Sequence, residues 1–290
     1  MAETKKKYLF NRGVESDHKA EMSFIDHLEA LRWHIVRSGL VWLAAAIVLF
    51  INVDWIFDHI IFAPAESDFI TYTGLCKISH YLKLGDALCM PPVDIQLQGN
   101  TISGPFMSAI SIAMVGGMIV AFPYLFWELW LFIKPALSPK ELKYSRGSIF
   151  WISICFFTGA LFGYFLLAPF TFNFLANFNL GTKGAYKYMP TLDDYIDTLN
   201  DIILGCGLSF ELPIIAYVLT KIGLISAEFL KKYRKYAFVI ILVVAAIITP
   251  SPDWTSQIIV AVPLLLLYEI SVFIAKKVDK DNIKKEKEWS

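Results

Sequence analysis

From Ile102 to Trp127 the chain carries no charged side chain. At about 1.5 Å per helical residue such a stretch is long enough to cross a hydrocarbon layer about 30 Å thick. In lipid, backbone N–H and C=O groups must be satisfied within the segment, so the stretch commits the chain to a membrane helix. The rest of the 290 residues agree: 56% are hydrophobic and only 18% charged, with 15% aromatic. A soluble domain is about 25% charged. Balanced totals of 26 basic and 26 acidic residues exclude a nucleic-acid binder driven by basic charge. The expected surroundings are a lipid bilayer, and no nucleic-acid partner is expected.

Six spans are expected, at about 35–53, 105–133, 147–168, 199–222, 236–249 and 256–275. Pro123 is expected to interrupt the second. The last two are short and form a tight hairpin. Of the 26 Lys and Arg residues, 22 fall in the segments on one side of these spans and 4 on the other. The positive-inside rule then places both termini in the cytoplasm. The fold class is an all-α integral membrane protein. Residues 1–22 read as a polar cytoplasmic extension, 23–275 as the six-span domain and 276–290 as a charged cytoplasmic tail. No apolar run with a small-residue cleavage site opens the chain, so the first span is expected to act as the targeting signal.

Residues 54–104 form a large outer segment, with Pro64, Pro91 and Pro92 as breakers. A second covers 169–198, where the aromatic run 169–174 suggests an interfacial helix. Cys76 and Cys89 share the first outer loop. They form a disulfide or remain free thiols; spacing alone does not decide. A metal site there is not expected, for want of a nearby His or further Cys. Cys155 and Cys206 lie within spans. The five histidines lie outside the deep apolar stretches, and no HExxH or P-loop pattern occurs. An enzyme is therefore not expected, nor a cofactor.

Charges near a bilayer centre cost about 2.5–3.5 kcal/mol each on insertion scales. Glu211 sits mid-span, beside Pro213, which frees a carbonyl and bends the helix. It either stays protonated against a neighbouring helix or faces a hydrated groove. Glu128, between Trp127 and Trp130, suits the cytoplasmic aromatic belt or a functional role. Glu269 reads as snorkelling or paired. Ser138, Pro139 and Glu141 make a helix-capping box, and Ser23 with Asp26 another. The helix opened by the latter has Phe24, Leu28, Leu31 and Ile35 on one face. It is expected to lie along the membrane surface before turning into the first span.

Seven segments in order carry a resemblance: Phe24-Ile25-Asp26-His27-Leu28-Glu29-Ala30-Leu31-Arg32; Pro105-Phe106; Phe122-Pro123 with Trp130-Leu131-Phe132-Ile133-Lys134-Pro135-Ala136-Leu137 and Glu141; Phe162-Gly163-Tyr164-Phe165 with Pro169; Phe210-Glu211-Leu212-Pro213; Thr249-Pro250-Ser251-Pro252-Asp253 with Ser256-Gln257; and Leu267-Tyr268-Glu269. The chain resembles the TatC family of the twin-arginine protein translocase. The resemblance implies a concave, glove-like bundle in a bacterial cytoplasmic membrane, receiving twin-arginine signal peptides of folded cargo. It implies TatA-like and TatB-like single-span partners in a multimeric complex, driven by the proton-motive force.

Paired arginines call for carboxylates at the cytoplasmic surface, because a planar guanidinium binds them bidentately. The resemblance assigns that role to Glu141, with Phe132 in the same motif. The family's second acidic contact falls here on Ala30. Glu29 is one residue earlier, rotated by about 100°. Glu29 or Asp26 takes over, or Glu141 acts alone. Glu128 stands where the family often has Gln, and its charge adds to the site. Glu211, Asp253, Gln257 and Glu269 fall on the intramembrane groove and partner-docking positions. Asp253 reads equally as turn chemistry. The other classes open to such a chain are a proton-coupled small-solute transporter using Glu211, and a scaffold without recognition of its own.

Overall fold

The computed structural model describes residues 24–66, 68–83, 85–86, 89, 97–134, 148–177, 189–221, 223, 225–249 and 254–289. Among them lie ten helices of six residues or more: α1 (Phe24–Ile51), α2 (Ile70–Tyr81), α3 (Gly104–Ile133), α4 (Ser148–Phe162), α5 (Ala168–Asn177), α6 (Leu192–Ser209), α7 (Leu212–Lys221), α8 (Ala227–Lys232), α9 (Arg234–Ile248) and α10 (Trp254–Trp289). No strand occurs among them beyond one isolated bridge, Gln98 to Thr191.

Among the described residues, five stretches are long and apolar enough to cross a membrane: Leu28–Ile51, Gly104–Ile133, Ile149–Asn177, Leu192–Lys221 and Gln257–Lys280. The fifth expected span corresponds to α9, whose 15 residues extend about 22 Å, short of a full crossing. Large side chains point outward along the spans, among them Leu40, Ile47, Ile247 and Phe273. Lipid, not water, is the solvent that suits them.

Three expectations are corrected. First, α1 is one unbroken helix, so no surface segment turns into the first span. It holds no proline, and its 28 residues extend about 42 Å, enough to carry its first turns beyond the hydrocarbon. Second, Pro123 does not interrupt α3. It removes the donor to Ile119, but Phe122 stacks on Phe156 with ring centroids 3.6 Å apart, holding that turn against α4. Third, residues 169–174 form no separate interfacial helix. They continue the third span through a π-turn at Gly163–Leu167.

That π-turn, and a second at Phe57–Ile61, each stand just before a proline, Pro169 and Pro64. A proline has no N–H, so carbonyls one turn earlier lose their donors. Side-chain hydroxyls replace them. Thr71 donates to the Phe165 carbonyl, four residues before Pro169. Tyr164 donates to Ile60 at 2.8 Å and Tyr195 to Ile61 at 2.6 Å, four and three residues before Pro64. Tyr72 divides its one proton between the carbonyls of Pro64 (3.0 Å) and Pro169 (3.2 Å). Burial pushes the Tyr72 hydroxyl up, so it remains a neutral donor. Pro64 is itself fully buried.

The helices meet at small residues. Gly159 of α4 and Gly163, which opens the π-turn after it, are four apart and face α6. A Cβ at Gly159 would stand 2.5 Å from the Cys206 carbonyl oxygen, and one at Gly163 3.0 Å from that of Ile202. This is the small-xxx-small contact by which membrane helices pack without a hydrophobic drive. Gly117 of α3 meets the Ala46 backbone of α1 equally closely, where Trp42 also donates to the Met114 carbonyl at 2.8 Å. The central core joins Tyr195, Leu199 and Ile202 of α6 to Ala245 and Ile248 of α9 and Leu264 of α10.

Candidate functional site

At one end of the α1–α3 pair lies a polar cluster. Glu128 of α3 is buried at 3% exposure, and both its oxygens are engaged. Tyr124, one turn earlier, donates to Oε1 at 2.6 Å, and His34 of α1 sits 2.5 Å from Oε2. The Phe132 ring stands edge-on to His34, with centroids 6.3 Å apart. The structure thus turns the Glu128 carboxylate inward. Glu29 differs: its side chain is 64% exposed, and among the described residues it pairs with Arg32 of the same helix at 4.0 Å. An exposed i,i+3 pair of that length holds the carboxylate weakly. Asp26 is in α1, but its side chain lies outside the described set, as do Ser138, Pro139 and Glu141 altogether.

Glu211 occupies the break between α6 and α7. Pro213 cannot donate to Ser209, and the chain tightens there: Glu211 N–H bonds the Leu208 carbonyl and Ile214 N–H bonds that of Glu211. The Glu211 side chain is buried, and neither oxygen has a hydrogen-bond partner among the described residues. A buried carboxyl without partners is costly, and most buried polar groups have one.

The last hairpin holds the remaining residues. Gln257 donates from Nε2 to the Leu242 carbonyl at 3.0 Å, tying α10 to α9. Glu269 pairs with Arg234 at the start of α9. Tyr268 donates to the Leu230 carbonyl at 2.7 Å, and Asp279 accepts from the Ala227 N–H at 2.6 Å, so α10 anchors α8. Asp253 lies outside the described residues. The site residues therefore fall into three separate places: the α1–α3 end, the α6–α7 break and the last hairpin.

Cys76 and Cys89 form a disulfide. The expectation that no histidine lies near them is corrected. His80, one helical turn after Cys76 on α2, places Nδ1 3.8 Å from the Cys76 sulfur and 4.0 Å from that of Cys89. The i,i+4 spacing of Cys76 and His80 was the signal that could have found it. The tie between His34 and Glu128, 94 residues apart, has no such local signal.

Long apolar helices meeting at glycines, with a buried acid at a proline break and polar clusters at the helix ends, define a polytopic membrane protein. A profile of the family described as Sec-independent protein translocase protein (TatC) matches residues 26–263. The TatC protein of Blattabacterium sp. subsp. Periplaneta americana is 43% identical over 267 residues, 91% of this chain and 98% of that protein. The protein of the same name from Carboxydothermus hydrogenoformans is 35% identical, over 88% of this chain and 93% of its own. A crystal structure of the twin-arginine translocase receptor TatC superposes with a TM-score of 0.68 at 30% identity, covering 86% of this chain and 99% of that one. The chain belongs to the TatC family. It is a multi-pass membrane component of the Sec-independent protein translocase, not an enzyme. The family places it apart from the proton-coupled solute transporters that a buried acid also allowed.

Proposed function

We propose that this chain is the signal-peptide receptor subunit of a twin-arginine translocase. It sits in a bacterial cytoplasmic membrane with six spans and both termini inside. The observation that carries the reading is the shared fold with a twin-arginine receptor over 99% of that protein's length.

The twin arginines dock at the cytoplasmic end of α1 and the loop after α3. Glu141 receives one guanidinium. Glu29, exposed and weakly held by Arg32, receives the other, with Asp26 beside it on the same helix. Phe132 lines the approach, and Glu128 fixes the floor through His34 and Tyr124. Glu211, buried and without a hydrogen-bond partner among the described residues, meets the signal's apolar segment or a partner span. Asp253, Gln257 and Glu269 border the surface where TatA-like and TatB-like single-span subunits assemble. Folded cargo then crosses at the expense of the proton-motive force.

Photocross-linking tests this. A photoreactive residue at Phe132 is expected to capture a twin-arginine signal peptide at least tenfold more than its twin-lysine counterpart. Equal capture of both peptides overturns the reading.

A further inference from the structure

The outer loop between α1 and α3 is built more firmly than a connection requires. Ser79 of α2, fully buried, donates to the Gly85 carbonyl at 2.6 Å. Lys83 N–H bonds the His80 carbonyl at 3.1 Å, and Cys89 N–H bonds that of Asp86 at 3.0 Å. Gly85 takes φ +60°, which turns the chain back toward α2 and favours glycine. These bonds bring Cys76, His80, Asp86 and Cys89 together, with their ligating atoms within 4.8 Å of one another.

His80 is placed between two partners. Its Nδ1 faces both sulfurs, and its Nε2 lies 3.3 Å from Asp86 Oδ1. With the disulfide closed, Nδ1 also lies 2.9 Å from the Cys76 carbonyl. That carbonyl is already the natural acceptor of the His80 backbone N–H, so releasing the ring leaves nothing unsatisfied. In a tetrahedral zinc site, bond lengths of about 2.3 Å to sulfur and about 2.0–2.1 Å to nitrogen put sulfur and nitrogen about 3.5–3.6 Å apart. The observed 3.8 and 4.0 Å are within a few tenths of an ångström of that spacing. A ligand histidine whose other nitrogen meets a carboxylate is the usual arrangement around zinc.

We propose that this loop carries a redox-gated zinc site: reduction of the Cys76–Cys89 disulfide creates a Zn²⁺ centre ligated by Cys76 Sγ, Cys89 Sγ and His80 Nδ1. Asp86 orients the imidazole through Nε2, and water completes the coordination. A dithiol donor supplies two electrons and two protons, breaking the S–S bond and forming its own disulfide. Zinc then displaces the two thiol protons to water, and the neutral imidazole binds through Nδ1 as the tautomer whose Nε2–H donates to Asp86, a proton resting on Nδ1 passing to Nε2. On reoxidation the two thiolates give two electrons to a disulfide acceptor, the S–S bond re-forms and the metal leaves. The disulfide and the zinc are alternative clips of one loop. This goes beyond signal recognition and does not depend on it.

Co²⁺ is the probe, titrated into the full-length protein in detergent, before and after reduction with a phosphine. The reduced protein is expected to bind one equivalent with a thiolate-to-cobalt charge-transfer band, displaced by Zn²⁺; the oxidised protein binds none. His80→Ala weakens binding at least tenfold and Asp86→Asn about tenfold or more, while both keep the disulfide before reduction. A Cys155→Ala/Cys206→Ala background behaves as the parent does. If that background does not fold, the same His80→Ala comparison in the otherwise unchanged chain decides. Absence of Co²⁺ binding after reduction, equal binding in the oxidised protein, or full binding by His80→Ala overturns the proposal.

Discussion

Glu211 is a carboxyl group buried beside a helix break, with no hydrogen-bond partner among the described residues. Removing an unsatisfied buried polar group relieves a penalty of about 1–3 kcal/mol. Glu211→Leu is therefore expected to raise the thermal unfolding midpoint of the detergent-purified protein, while translocation falls. A lower midpoint would mean that the carboxylate has a stabilising partner. His34 has the opposite character. Its loss leaves Glu128 Oε2 buried without its partner. His34→Ala should destabilise by about 1–3 kcal/mol, and adding Glu128→Gln should restore part of that. A double-mutant cycle on unfolding midpoints measures the coupling. The sequence made Glu211 conspicuous, because one acid stands alone in an apolar run. It gave no sign that His34 would claim Glu128, since a contact across 94 residues is set by packing, not by local pattern.

Two helical contacts decide how the elements meet. The Gly159 and Gly163 pair brings α4 against the α6 backbone, with no room for a side chain. Gly159→Leu is expected to cost about 1–3 kcal/mol by overpacking. Gly39, on a face of α1 with nothing within 4 Å, is the control: Gly39→Ala should be neutral or gain about 0.5–1 kcal/mol of helix stability. Unfolding in detergent distinguishes the two. The tyrosine clamps give a further test at this scale. Tyr164→Phe leaves the Ile60 carbonyl without its hydroxyl donor, at a cost of about 0.5–1.5 kcal/mol. Apolar length made the existence of these helices plain. A proline within an apolar run predicts a break that the packed helices do not make. The π-turn before Pro169 lets the third span run on, and hydroxyls from distant helices satisfy the carbonyls it frees. Periodicity carries no mark of such long-range donors.

For the whole molecule, orientation hangs on α9, whose 15 residues fall short of an ordinary crossing. On the six-span reading, with its charge asymmetry of 22 to 4, we propose that it crosses nonetheless, with the bilayer thinned locally or the hairpin recessed. Reporters fused after Ser290 and inserted beside Gly99 are expected to read opposite sides of the membrane, the former cytoplasmic. The same side for both would mean that α9 does not cross. The signal-binding role rests most heavily on Glu141, in the loop after α3. The decisive measurement is the affinity of the purified protein for a twin-arginine signal peptide, beside a twin-lysine peptide and a Glu141→Gln variant. Bidentate recognition of guanidinium predicts a preference for arginine of tenfold or more, lost in the variant. Equal affinity for both peptides, or a variant that binds as the parent does, contradicts it.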